Sequence, residues 1–139
     1  MATDLAEAGR KGVVTSAIYD NWWHGGNRTT PYRHNITGIL SEAASARTAS
    51  PVFQKREDLK GHERGLSQYV LSTNFVDPWP GGWWRLRDVV EYQLISCRSL
   101  FTLAARYRGM FNRNYLTLAR EAVRLGSTEP PVAFLVPPD

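Results

Sequence analysis

Read as a pattern of apolar and polar positions, the chain changes character three times. The stretch around Asp4 to Arg10 reads as a short helix that Gly12 stops. Val13, Val14, Ala17 and Ile18 follow as a compact, partly β-branched apolar group, and Ile36 to Leu40 (ITGIL) is a second short apolar run. Both patterns predict buried strands, the second with Gly38 permitting close approach of a neighbour. Between them Asp20 to Arg33 (DNWWHGGNRTTPYR) is rich in Gly, Asn, Thr and Pro. It reads as a loop that carries an unusual amount of aromatic surface.

From Ser50 to Trp84 the apolar residues are scattered singly or in pairs, which predicts a long polar connection laid over a surface. It closes on WPGGWW, a turn with Trp79, Trp83 and Trp84. These indoles can anchor a loop or stack on a ligand. Leu86, Val89, Val90, Leu94, Cys97, Phe101, Ala104, Tyr107, Phe111, Leu118, Ala122 and Leu125 then recur at steps of three and four. That spacing predicts long amphipathic helix, broken near Gly109 and ended by Gly126. After Pro130 and Pro131, VAFLV predicts a last strand lacking a partner. The expected architecture is α/β: an incomplete domain with a few mainly parallel strands, a long loop region and one or two long helices. Its expected parts are 1–49, 50–84, 85–126 and 127–139.

Length and composition change this picture little. The 139 residues, 42% hydrophobic and 22% charged, suit one small globular domain. No stretch is apolar over the roughly 18–20 residues of a membrane span, and the polar start has no signal-peptide core. No membrane partner is expected, and the sequence does not fix a compartment. The single Cys97 excludes an intramolecular disulfide and a cysteine zinc cluster.

The net charge of +4 is spread evenly: residues 1–60 hold eight Lys/Arg against six Asp/Glu, and residues 61–139 hold nine against seven. Arg98, Arg106, Arg113, Arg120 and Arg124 would share one side of a continuous helix. Without interleaved aromatics, that stripe is expected to be a solvated face, and no nucleic-acid partner is expected. An anion-binding role for it is the weakest of three functional readings.

Glu42, just past the expected ITGIL strand, lies where ligands bind in open α/β sheets, although an acid at a strand end can equally be a solvated surface group. His24, His34 and His62 lack the His-x-x-x-His and His-x-x-Glu spacings that place two metal ligands together. No phosphate loop or nucleophile elbow is present.

Residues 21–45, NWWHGGNRTTPYRHNITGILSEAAS, resemble a segment of bacterial carboxypeptidase A-like zinc metallocarboxypeptidases, with Tyr19, Gly25-Gly26 and Glu42 in matching order. AASARTASPVF, the WPGGWW turn and the long helix resemble the next segments of large bacterial members. The resemblance implies a catalytic role for Glu42, as acceptor of a proton from zinc-activated water, and a role for Tyr19 in binding the terminal carboxylate of a peptide substrate. Asn27 and Arg28 offer groups suited to that carboxylate but do not match the family's arginine positions. The family's zinc ligands, a His-x-x-Glu pair and a later histidine, are missing from this sequence, so zinc is implied for the parent enzyme and no metal is expected on this chain. The resulting expectation is the C-terminal portion of a metallocarboxypeptidase, inactive alone and prone to self-association through unpaired strands. A non-catalytic module binding peptides or carbohydrates is the alternative.

Overall fold

The computed structural model describes residues 1–45, 49–131 and 133–138. Its elements in order are helix α1 (Ala2–Glu7), a 3-10 turn at Asn27–Thr29, helix α2 (Thr30–Arg33), strand β1 (Val52–Gln54), a 3-10 turn at Arg56–Asp58, strand β2 (Gly82–Trp84), and helices α3 (Leu86–Arg106) and α4 (Arg108–Thr128). The chain divides into two compact units, Met1–Asn21 with Ser41–Leu103, and Trp22–Leu40 with Ala104–Asp139.

This architecture corrects the α/β expectation. Among the described residues the sheet has two strands, β1 and β2, and they are antiparallel, with Val52 opposite Trp84, Phe53 opposite Trp83 and Gln54 opposite Gly82. It lies inside the segment expected to be a strandless connection. The Val13 to Ile18 run is not a strand. Ser16 has φ 57°, in the left-handed region that breaks an extended run. The N–H groups of Gly12, Thr15 and Ile18 go separately to the carbonyls of Asp77, Asn74 and Arg64, so single ties replace a ladder.

Ile36 to Leu40 is not a strand either. Asn35 also has φ 57°, and Ile36 donates its N–H to Pro31 O at 2.9 Å, folding the segment back on α2. Gly38 does admit a close neighbour, but that neighbour is the Tyr32 ring: a Cβ at position 38 would stand 2.4 Å from Tyr32 Cε1. In the final VAFLV run, Val132 lies outside the described residues. Ala133 to Val136 form no strand, and Phe134, Leu135 and Val136 are almost fully exposed.

The long periodic segment forms helix as its spacing predicts, in two pieces of 21 residues each separated at Tyr107. Gly126 does not stop α4, which ends at Thr128 with Glu129 donating its N–H to Leu125 O. At the start of α3, Asp88 Oδ2 accepts the N–H of Arg85 at 2.8 Å, satisfying a donor at the helix entrance.

The first unit is organised by aromatic rings. Phe75 is 1% exposed and meets Tyr69 edge-on at 5.0 Å, while the Tyr69 hydroxyl donates to Trp79 O at 3.0 Å. Phe75 and Leu5 are the buried hydrophobic residues among those described. In the second unit the Gly25-Gly26 pair has a local cause: a Cβ at either position would come within 3.0 Å of the Trp23 indole, which lies against the turn that Gly26 N–H closes onto Trp23 O. α4 has no buried residue.

Candidate functional site

Within the first unit, the residues that follow α1 meet β2 and the first turns of α3 around an open hollow of about 180 Å³. Its aromatic wall is a chain of edge-to-face contacts: Trp79 to Trp84 at 5.9 Å, and Trp84 to Tyr92 at 5.4 Å. Ring pairs in this geometry set the positive edge of one against the negative face of the next.

The polar tips are anchored as well. Trp84 Nε1 donates to Ala44 O at 3.0 Å and the Tyr92 hydroxyl to Lys11 O at 2.7 Å. Gly81 and Gly82, with φ 92° and 121°, allow the WPGGWW turn to bring Trp79 and Trp84 together. Trp83, between them in the chain, also lines the hollow. It is half-exposed, held by Phe53 at 5.3 Å and covered by the Arg85 guanidinium at 5.2 Å from its ring centre.

The basic rim is supplied by Arg10 and Lys11. Arg10 pairs with Glu91 and lies 5.7 Å from the Tyr92 ring centre, and Lys11 Nζ pairs with Asp77 at 3.0 Å. Arg10 Nε is buried without a hydrogen-bond partner. The Arg87 hydrogen bond, helped by the charge of Arg10, holds the Glu91 carboxyl below its ordinary value. Burial pushes the Tyr92 phenol up, against the opposing pull of Arg10. Tyr69 is raised for the same reason, with Arg56 opposing.

The residues singled out in the sequence are distributed differently. Glu42 is exposed in an irregular segment of the first unit and does not terminate a strand. Tyr19 also belongs to the first unit and is 41% exposed. Asn27 and Arg28 begin the 3-10 turn of the second unit, Asn27 exposed and Arg28 half-buried. The arginine stripe is divided by the break at Tyr107, with Arg98 and Arg106 on α3 and Arg113, Arg120 and Arg124 on α4. All five are exposed, and Arg124 makes a two-point contact with Glu121 at 2.9 and 2.6 Å.

Among the described residues no three His, Cys, Asp or Glu side chains gather to hold a metal ion. The residues present therefore do not fit the zinc that the carboxypeptidase resemblance implies.

Arg10, Lys11, Asp88 and Tyr92 do not stand out in the sequence. The available signal is the three-indole turn followed by Tyr92 eight residues after Trp84, a spacing that brings the phenol under the turn once α3 forms. No protein-family model, curated protein or solved structure matches the chain, so the carboxypeptidase resemblance rests on the residues that carry it.

Proposed function

We propose that this chain is the portion of a metallocarboxypeptidase that contributes Glu42 as proton acceptor and Tyr19 as a substrate-binding phenol. The observation that carries this reading is the ordered set Tyr19, Gly25-Gly26 and Glu42. Glu42 and Tyr19 belong to the same unit, and both side chains are open to solvent. In the reaction the Glu42 carboxylate accepts a proton from the attacking water and returns it to the leaving amine, and the Tyr19 hydroxyl donates to the carboxylate of the peptide's last residue. Metal ligands would come from polypeptide other than this chain. Asn27 and Arg28, in the second unit, carry no part of the proposal.

The test fuses the zinc-binding portion of a bacterial carboxypeptidase A-like enzyme ahead of this chain. Carboxypeptidase activity should appear. Glu42→Gln should then lower kcat by about 10²- to 10⁴-fold, the usual contribution of a positioned general base, with zinc content unchanged by elemental analysis. Tyr19→Phe should chiefly raise KM. A fusion that binds zinc and keeps full activity after Glu42→Gln would remove Glu42 from the chemistry.

A further inference from the structure

Independently of the peptidase reading, we infer that the tryptophan-lined hollow of the first unit binds one ring of a neutral carbohydrate. Four observations converge on that class.

The first is size. At about 180 Å³ the hollow is larger than the roughly 150 Å³ cavity that holds a benzene molecule, which is room for a single six-membered ring with substituents. The second is the wall. Trp79, Trp84 and Tyr92 present aromatic surface already fixed by ring contacts and by the hydrogen bonds of Trp84 and Tyr92, so little ordering is lost on binding. A pyranose has an apolar C–H face that lies against such rings and a polar edge of hydroxyls.

The third is charge. The rim cations Arg10 and Lys11 are each engaged by a carboxylate, Glu91 and Asp77, so an incoming anion would compete with an existing pair. The hollow therefore favours a neutral ligand over a free carboxylate or phosphate. The fourth is the remaining polar capacity. Asp88 lines the hollow and commits Oδ2 to the Arg85 N–H, which leaves acceptor positions on its carboxylate for sugar hydroxyls. An aromatic platform beside a carboxylate that accepts from hydroxyls recognises a polyol ring by its apolar face and its polar edge together.

The experiment is isothermal titration of the intact chain with neutral tetrasaccharides of glucose, N-acetylglucosamine and xylose. At least one should bind, with affinity changing less than about twofold between low and high salt because no counterions are released. Trp83→Ala removes a half-exposed ring at the mouth of the hollow and should weaken binding by at least about fivefold, the lower end of what losing one stacking platform costs. Trp83→Phe should retain most of it. Asp88→Asn should weaken binding too, and far-ultraviolet circular dichroism of each variant separates lost binding from lost fold. Absence of binding to every sugar at about 10 mM, well above the millimolar range of weak specific sites, binding indifferent to Trp83→Ala, or binding only of carboxylate-terminated peptides with steep salt dependence would each overturn the inference.

Discussion

Phe75 and Val123 are both large apolar side chains, yet the first is 1% exposed and the second 73%. The difference runs through their surroundings. In the first unit rings hold one another and their polar tips are bonded: Tyr69 touches Phe75 and donates to Trp79 O, and Tyr92 touches Trp84 and donates to Lys11 O. In the second unit α4 is held by its own backbone and by short-range pairs. Arg124 bonds Glu121 and Thr128, and Ser127 and Thr128 donate back to the carbonyls of Val123 and Arg124. Pairs of that kind contribute only a few tenths of a kcal/mol each, and an isolated helix of modest length is marginal in water. One unit gains stability from burial and the other from local sequence.

The contrast breaks most visibly at Phe75. Phe75→Ala should destabilise the first unit by about 3–5 kcal/mol in chemical denaturation followed by tryptophan fluorescence. A loss under about 1 kcal/mol would mean that the aromatic cluster is not the unit's core.

Gly12→Ala should come next, at about 2 kcal/mol. Its φ of 82° disfavours any Cβ, and that Cβ would stand 2.8 Å from Trp79 Cβ, a position fixed by the backbone. Leu118→Ala on α4 should cost under about 0.5 kcal/mol, since its side chain is already half in water. A cost near that of Phe75→Ala would show that α4 is packed in solution.

The smallest effects are those of pH. Glu91 in the first unit and Glu121 in the second are both held below their ordinary values by arginine hydrogen bonds. Their folded values lie below the unfolded ones, so their stabilisation is complete above the ordinary carboxylate pKa and is lost as pH falls below about 4. Tyr69 and Tyr92 are raised by burial, so the first unit keeps their contribution below about pH 10 and loses it as pH rises through the folded values. Thermal melts from about pH 3 to about pH 11 should show the acid decline in both units and this alkaline decline in the first. A first unit insensitive above about pH 10 would contradict the burial of those phenols.

How much of the molecule is legible in the sequence depends on how far each signal reaches. The helix from Leu86 onward is legible because its period repeats over many turns, and the break falls two residues before the expected glycine. The WPGGWW turn is legible because adjacent glycines mark positive φ. The strands are not. Val52–Gln54 and Gly82–Trp84 are three residues each, too short to show a period, and each depends on a partner about thirty residues away. Conversely, Val13 to Ile18 and Ile36 to Leu40 have strand composition, but the N–H groups of Thr15, Ile18 and Ile36 go to single carbonyls outside any ladder. Of the site, the indoles are visible as a cluster, whereas Arg10 and Lys11 carry no local signal because their carboxylate partners lie more than sixty residues along the chain.

The hydrogen bond from Trp84 to Ala44 O has a further consequence for Glu42. Ala44 follows Glu42 by two residues, and two residues of fully extended chain reach at most about 7 Å. The indole of β2 therefore acts as a mooring whose short line limits where the Glu42 backbone can travel. Replacing Trp84 by phenylalanine would keep much of the ring while cutting that line, and the carboxylate would lose its fixed address without being touched.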